Sequence, residues 1–283
     1  MTQTSPAPIV LLTDFGLVDS YVGVMKGVIL SINPVARIVD LSHAIAPQDV
    51  AAGARMLAES YRYFPAEAIF VGVVDPDVGS ARRGVALRTP RGRFVGPDNG
   101  LFSDVLDDLG LVLPRGGGRL ASRHPSVEAV TLENPVYFLP QVSRTFHGRD
   151  IFAPVAAHLS LGVPLGALGP STEDLVGLAR PAVEIRPDEV RGRVVQIDRF
   201  GNAITDIRSR HLTGIRAPVV LAAGQRIIGI SSHYAEQVGL LALIGSSDHL
   251  EIALNGGDAA TALGLRREDP IVVRECSDGG ESP

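Results

Sequence analysis

Short apolar runs alternate with helical patterns through the first half of the chain. The runs at 9–12, 38–41 and 68–74 have the length and β-branching of buried strands. Between them, apolar positions recur at helical spacing over 19–32, where Asp19 is the expected N-cap, and a second helix is expected over 49–61. This order of strands and helices predicts a parallel sheet with right-handed crossovers.

The pattern after residue 84 predicts a hairpin beside this sheet, with strands at 84–89 and 93–95 around the turn Pro90-Arg91-Gly92. A short helix is expected over 101–109, a surface loop over 114–125 and a strand over 128–132. A further helix follows the polar stretch 143–150 and ends near Leu161, where Gly162 suits a helix stop.

Helical periodicity nearly vanishes after a stretch rich in Gly, Pro, Ser and acidic residues at 169–187. Short strands expected beyond it predict a small β-barrel or sandwich, at 190–197, 203–207, 217–222, 226–230, 240–244, 250–254 and 270–274. The predicted organisation is an N-terminal α/β domain at 1–170, a linker at 171–187 and a smaller C-terminal all-β, barrel-like domain at 188–283.

Composition excludes several functional classes. The net charge of -5 and the lack of Trp argue against a nucleic-acid partner. A single cysteine, Cys276, rules out an internal disulfide framework. No apolar run is long enough to span a membrane, and the first residues lack a signal-peptide pattern, so a cytoplasmic protein without a membrane partner is expected.

Polar side chains gather where the predicted strands end. In a parallel sheet the carboxyl ends of strands point the same way, so Asp14 and Asp75 could line one crevice. The clusters are Thr13-Asp14, then Asp75, Asp77 and Arg82, then 147–150, and in the β-rich half 198–202 with Ser246 and Ser247.

Each cluster also has a plain structural interpretation. Asp14 could cap a turn, His147 could be a structural histidine, and Asp198 with Asn202 could bracket a hairpin. His43, His147, Asp14 and Asp75 are suitable metal ligands, but no HxH or HExxH spacing supports a metal site. No GxSxG elbow indicates a serine nucleophile, and no GxGxxG or phosphate-binding loop is present.

Seven motifs in a fixed order give a more specific indication: LLTDFG, SHAIAPQDV, VVDPDVGS..R, GPDNGLFS, TFHGRD, IDRFGNAITDI and SSDHLEIALN. With them the chain resembles the S-adenosyl-L-methionine hydrolases (adenosine-forming), also called S-adenosyl-L-methionine hydroxide adenosyltransferases. That family is related to the fluorinase and chlorinase enzymes. The similarity extends from about residue 9 to residue 274.

The resemblance implies an N-terminal α/β domain, a C-terminal barrel-like domain and a homotrimer. Each active site would lie between the N-terminal domain of one subunit and the C-terminal domain of its neighbour. The implied reaction converts S-adenosyl-L-methionine and water to adenosine and L-methionine, with no metal and no other cofactor.

The resemblance also assigns residues. The catalytic trio would be Asp75, Arg82 and His147, and Asp14 would hold the ribose hydroxyls. Asp198 would lie near the methionine amino group. The other substrate-binding residues would be Gln48, Phe146, Asn202, Ser246, Ser247 and Asn255, with the two serines at the methionine carboxylate.

The sequence shows three departures from the family pattern. Asp77 stands where the family usually has Gly, and Asp248-His249 replaces a more usual Gly-aromatic pair. Gln48 stands where halogenase-like relatives carry an aromatic residue, which predicts a more polar wall at the ribose or adenine.

The implied chemistry is physically sensible. A sulfonium makes C5′ electrophilic, and methionine leaves as a neutral thioether, so the reaction needs an aimed water rather than a general acid. Arg82 would hold a hydroxide-like oxygen, and either Asp75 or His147 would accept its proton. The alternatives are a metal-dependent hydrolase, a protein that binds S-adenosyl-L-methionine or adenosine without turnover, and a halide-using relative, for which a charged trio is unsuitable.

Overall fold

The structure is a computed structural model that describes residues 7–111, 118–121 and 125–276. The chain divides into two compact units, with the boundary between Arg180 and Pro181. Across the described residues, no helix is both long and apolar enough to cross a membrane.

The N-terminal unit is built on a six-stranded sheet in the order β2-β1-β3-β5-β4-β7. Its strands are β1 (Ile9–Thr13), β2 (Ile38–Ser42), β3 (Ile69–Val73), β4 (Gly84–Thr89), β5 (Gly92–Pro97) and β7 (Glu128–Thr131). β2, β1, β3 and β5 are parallel, whereas β4 runs antiparallel to both of its neighbours. The predicted parallel sheet and the β4–β5 hairpin are therefore confirmed.

Helices cover both faces of this sheet, and the alternation of side chains along β1 shows why. Val10 and Leu12 pack in one apolar cluster, whereas Ile9 and Leu11 pack in the other. The first cluster includes residues of α2 and α3, and the second includes residues of α1 and α4. These helices are α1 (Tyr21–Ile32), α2 (Val50–Ser60), α3 (Ser103–Asp108) and α4 (Ala153–Ser160), the last preceded by a π-helical turn at Gly148–Phe152. Strands buried on both faces account for the continuous apolar runs in the sequence.

The structure corrects two local predictions. The N-cap of α1 is Ser20 rather than Asp19, and its side chain makes no capping bond. Residues 118–121 of the predicted 114–125 loop form a strand, β6 (Gly118–Ala121), which pairs with β8 (Asp174–Gly177). This pairing joins segments more than fifty residues apart, so local sequence could not indicate it. Residues 112–117 and 122–124 of that predicted loop lie outside the described residues.

The C-terminal unit is an antiparallel, nearly closed, barrel-like sheet in the order β13-β12-β16-β10-β11-β15-β14. Ser231, just beyond β13, forms a bridge to Leu243 of β14, so the two ends of the sheet approach each other. The strands are β9 (Glu184–Ile185), which pairs with β10 (Glu189–Ile197), then β11 (Ala203–Arg208), β12 (Pro218–Ala222), β13 (Gln225–Ile228), β14 (Leu240–Ile244), β15 (His249–Leu254) and β16 (Pro270–Glu275). One short helix, α5 (Ala259–Leu263), packs its buried residues into the core of this sheet. The barrel-like fold class expected for this half is confirmed.

Candidate active site

Two neighbouring parallel strands deliver acidic side chains to one edge of the N-terminal sheet. β1 and β3 pair in register, with Thr13 opposite Val73. Asp14 and Asp75 follow these two strand ends, so the chain leaves the sheet at the same edge in both places. This is the edge at which ligands bind in open α/β sheets.

Arg82 clamps the carboxylate of Asp75 with two parallel hydrogen bonds. Its Nε donates to Oδ1 at 3.0 Å, and its Nη2 donates to Oδ2. The side chains are only 6% and 4% exposed, for Arg82 and Asp75 in turn. A bidentate pair removed from water in this way has a fixed geometry. The loop closes because Ser80 Oγ accepts the backbone N–H of Arg82 at 3.1 Å.

His147 completes the trio through Arg82. Arg82 Nη2 lies 2.9 Å from Nδ1 of His147. A guanidinium has donors only, so Nδ1 must accept, and the proton of the neutral imidazole is then on Nε2. Burial, together with the adjacent Arg82 charge, lowers the pKa of His147. The imidazole is therefore neutral, with its proton on Nε2, and a backbone hydrogen bond with Ser143 raises the pKa against these larger effects.

Close backbone contact at Gly79 brings the two loops of the trio together. Gly79 has φ +81°, and a Cβ placed there would lie 2.1 Å from the carbonyl oxygen of Arg144. Only glycine permits that approach without strain. The loop that carries Arg82 thus rests directly on the segment that leads to His147.

Burial also sets the acidity of Asp75. It raises the pKa of this carboxyl above its ordinary value, although the Arg82 charge acts in the opposite direction. The exposed Asp77 adds a smaller upward effect on the same pKa. The left-handed residue of this turn is Gly79 and not Asp77. The departure at Asp77 therefore changes the local charge and leaves the turn geometry to Gly79.

Asp14 is tied to the loop before α2. Its Oδ2 accepts the backbone N–H of Gln48 at 2.7 Å. Gln48 adopts a φ of +67°, and its side chain is exposed. Gln48 therefore contacts Asp14 through its backbone N–H and not through its side chain.

Aromatic side chains lie next to these polar groups. Phe146, which precedes His147, packs edge-on against Phe15 and Tyr21 with ring centroids 5.8 and 5.2 Å away. The guanidinium of Arg149 lies over the Phe146 ring at 5.1 Å. An open cavity of about 430 Å³ is lined by these four side chains with Ser143 and Thr145. Sequence reasoning named Phe146 but missed Phe15 and Tyr21, although Phe15 lies within the LLTDFG motif.

In the C-terminal unit, Asp198 and Asn202 bracket the turn between β10 and β11. Oδ1 of Asp198 accepts the backbone N–H groups of Phe200 and Asn202 at 2.8 and 2.9 Å. Its Oδ2 accepts the side-chain amide of Asn202 at 2.9 Å. The hairpin interpretation of these residues thus describes their contacts within this chain, while their ligand contacts stay a prediction.

Ser246 and Ser247 lie in the turn between β14 and β15, and the departing pair Asp248-His249 shapes that turn. Asp248 has φ +66°, a left-handed backbone conformation that the usual glycine would adopt easily. Its carboxylate accepts the Ser209 hydroxyl at 2.5 Å. His249 is buried, with Nδ1 2.7 Å from the carbonyl oxygen of Thr205. The turn therefore keeps its left-handed residue despite the substitution.

Asn255 follows β15. Its side-chain amide donates to the Gln237 carbonyl oxygen at 3.0 Å. Glu251 within β15 accepts the hydroxyl of Tyr234 at 2.7 Å. Burial raises the pKa of both groups, and the Asp198 charge adds a smaller upward effect. Sequence reasoning missed this pair, for which the available signal was a charged residue inside an apolar strand.

Metal-ligand types do not converge in the part of the chain that the structure describes. There, no group of three or more His, Cys, Asp or Glu side chains could hold a metal ion. Of the ligand types named from the sequence, His43 lies against Thr13 and Asp40, whereas His147 lies against Arg82.

Comparisons with known proteins agree with the order of motifs. Residues 9–169 match the model of the SAM hydroxide adenosyltransferase N-terminal domain, and residues 192–272 match that of the C-terminal domain. A Thermus thermophilus protein named (R)-S-adenosyl-L-methionine hydrolase is 40% identical, over 93% of this chain and 98% of its own. A Salinispora arenicola protein of the same name is 38% identical, over 92% and 95%. A fluorinase from an Actinoplanes species is 32% identical over 72% of each chain.

Solved structures show the same architecture. An uncharacterised conserved protein from Thermotoga maritima matches with a TM-score of 0.83 at 33% identity. That match covers 94% of this chain and 100% of the other. The conserved fold and the ordered motifs thus extend over nearly the whole described chain.

Proposed function

The chain belongs to the SAM hydroxide adenosyltransferase family, and from this premise we propose that it hydrolyses S-adenosyl-L-methionine to adenosine and L-methionine. The observation that carries the proposal is the buried contact of Asp75, Arg82 and His147 at the carboxyl edge of the sheet. Three ordered polar groups in one place can bind and aim a single water.

In the proposed step, the water oxygen bonds to C5′ as the C5′–S bond breaks. The bonding electrons pass to sulfur, so the sulfonium leaves as the neutral thioether of methionine. The water loses one proton, which is finally released to solvent. Fixing the water opposite the sulfur removes part of the entropic barrier, up to roughly 7–11 kcal/mol in the best-oriented cases.

The tautomer of His147 favours Asp75 as the proton acceptor. Nδ1 of His147 is occupied by Arg82, and its other nitrogen carries a proton, so neither nitrogen offers a lone pair to the water. Asp75 keeps lone pairs beyond its two bonds from Arg82, and burial raises its pKa, so its carboxylate is a stronger base than that of an ordinary aspartate. We assign proton acceptance to Asp75, and to His147 the task of holding Arg82 in place through Nδ1.

Arg82 is assigned the task of holding the oxygen. Among the described contacts its donors engage both Asp75 oxygens, His147 Nδ1 and the Arg83 carbonyl. These use four of its five N–H bonds and leave one on Nη1 for the nucleophile. A charge-assisted bond from that hydrogen stabilises developing hydroxide character.

The same trio argues against a halide nucleophile. A halide is already an anion and needs no base, and the Asp75 carboxylate would repel it. Water is neutral and gains from a carboxylate acceptor. The charge of the site therefore favours hydrolysis over halogenation.

The two relatives are named for the (R) form of S-adenosyl-L-methionine, and we propose the same stereochemistry for this chain, with the (R) epimer at sulfur as the substrate. A mixture of the two epimers incubated with the protein should lose the (R) form and keep the (S) form. We also adopt the homotrimer and metal-independent turnover implied by the resemblance. Light scattering on the eluting protein tests the trimer, which requires three times the chain mass of 29.8 kDa.

The function is tested by chromatography of S-adenosyl-L-methionine incubated for hours with excess protein. The proposal predicts equal amounts of adenosine and methionine, unchanged by a chelator and by added chloride or fluoride. Binding without adenosine would support a non-enzymatic binding protein, and 5′-halogenated adenosine would support the halide-using alternative. Loss of turnover on chelation would indicate a metal-dependent hydrolase.

A further inference from the structure

One buried histidine has no place in the mechanism above. His43 is 5% exposed, and its Nδ1 lies 2.8 Å from Oγ1 of Thr13, which is 0% exposed. Its Nε2 lies 3.1 Å from Oδ1 of Asp40, without the alignment of a hydrogen bond. Lys26 holds the other oxygen of Asp40 at 2.6 Å. The Asp40 carboxylate, the His43 imidazole and the Thr13 hydroxyl thus form a series of polar contacts from the surface to the interior.

Donors and acceptors are fixed along this series of contacts. The Asp40 carboxylate favours a proton on the nearer nitrogen, Nε2, which leaves the lone pair of Nδ1 to accept the Thr13 hydroxyl proton. Thr13 Oγ1 then still accepts a bond, and the backbone N–H of Phe15 donates to it at 3.2 Å. The series ends on the amide directly after Asp14.

The Asp14 turn is consequently held from two sides. His43 contributes a second contact, because its carbonyl oxygen accepts the backbone N–H of Gly16 at 2.8 Å. Gln48 holds Oδ2 of Asp14 itself. Asp14 is thus flanked on either side by groups bonded to His43, and its remaining oxygen, Oδ1, faces no partner among the described hydrogen bonds.

We propose that His43 is a positioning residue for nucleoside binding, which acts through the Thr13 hydroxyl and its own carbonyl to aim the Asp14 carboxylate at the ribose hydroxyls. This inference rests on the proposed function, because the ribose role of Asp14 comes from the family. It adds a residue that touches no substrate and yet sets how strongly the ribose is recognised.

Calorimetric binding of adenosine and 2′-deoxyadenosine tests the inference without any turnover. In the wild-type chain a hydroxyl bonded to a carboxylate should make adenosine bind roughly 10–100-fold more tightly than its 2′-deoxy analogue. His43→Leu removes the imidazole and fills the buried site with an apolar side chain. It should bring that ratio close to one.

Conservative variants separate positioning from packing. His43→Asn can return a polar atom near the position of Nδ1 and should restore most of the ratio, whereas His43→Gln reaches toward Asp40 and should not. Thr13→Val has nearly the shape of threonine without the hydroxyl and should reproduce the His43→Leu result. His158→Leu is the matched control, because His158 packs on Tyr137 in the same unit and should leave the ratio unchanged.

The inference is overturned if folded His43→Leu and Thr13→Val keep the wild-type ratio, or if the wild-type chain does not distinguish the two nucleosides. It is also overturned if His158→Leu lowers the ratio as much as His43→Leu. Failure of the proposed function has a different signature, namely absent turnover of S-adenosyl-L-methionine by the wild-type chain. Both outcomes can be read separately on the same protein preparations.

Discussion

Replacing Asp75 by Asn removes the proposed proton acceptor while nearly preserving its shape. A general base contributes roughly 10²–10⁴ in rate. That range corresponds to about 3–5 kcal/mol of barrier at a factor of ten per 1.36 kcal/mol. We therefore expect Asp75→Asn to lower kcat by this factor and to change KM little, since the base acts in the transition state.

The structure supplies a control carboxylate in Asp98, which pairs with Arg83, the residue after Arg82. Arg83 donates to Asp98 from both Nε, at 3.1 Å, and Nη2, and the side chain of Asp98 is 4% exposed, as is that of Asp75. Asp98→Asn therefore weakens the pairing of an equally buried carboxylate with an arginine outside the trio, although Arg83 itself is more exposed than Arg82. It should leave kcat within about threefold of the wild-type value, a change of less than one kcal/mol in barrier.

Stability should respond to both substitutions. Each leaves a guanidinium with a weaker partner, at a cost of roughly 1–3 kcal/mol. For Asp75 the cost is offset in part, because its raised pKa indicates that burying the charge is itself unfavourable. Urea denaturation measures the free energy of unfolding, and initial rates of adenosine release at saturating substrate give kcat.

The reasoning would be refuted if Asp75→Asn kept wild-type kcat, or if Asp98→Asn lost as much activity as Asp75→Asn. The second result would mean that loop rigidity, and not proton acceptance, accounts for the loss.

Two further predictions concern geometry and pH. Gly79→Ala should lower kcat at least tenfold, because a Cβ in this left-handed position meets a carbonyl oxygen and pushes the loop of Arg82 away from His147; wild-type kinetics in a folded variant would contradict this. The value of kcat/KM should fall with decreasing pH, because Asp75 accepts a proton only while ionised, and its pKa is raised above the ordinary aspartate value. Burial and the Arg82 charge lower the pKa of His147, so its imidazole also gains a proton only as the pH falls, and a rate that increases toward acid would be inconsistent with both groups.

Local sequence was sufficient to predict the strands that carry the candidate site of the N-terminal unit. The apolar runs ending at Asp14 and Asp75 correspond to β1 and β3, and parallel topology then brings these two chain exits to one edge. Asp49 was expected at the start of the second helix, and its side chain accepts the Ala52 N–H there. Signals of this kind depend on residues close together in the chain.

Contacts between distant segments could not be predicted in the same way. The approach of Gly79 to Arg144 and the tautomer of His147 depend on how two loops meet in space. The pairing of β6 with β8 has the same origin. The motif order named candidate residues, whereas the acid–base roles that we propose for them depend on the hydrogen bonds between distant loops.

His43 shows that residue type alone cannot identify a residue's role. Its residue type made it a candidate metal ligand, and no spacing in the sequence distinguishes that role from contact with a hydroxyl. The structure makes the distinction, because Nδ1 contacts the Thr13 hydroxyl, Nε2 lies against Asp40, and no group of three or more metal-ligand types forms among the described residues.

The central claim is that a water oxygen is delivered to C5′ of S-adenosyl-L-methionine, and isotope labelling tests it most directly. The reaction is run in water enriched in ¹⁸O, and both products are weighed by mass spectrometry. The account predicts one ¹⁸O atom on the 5′-oxygen of adenosine and none in methionine. Label in an amino-acid product, or adenosine formed without label, would contradict it.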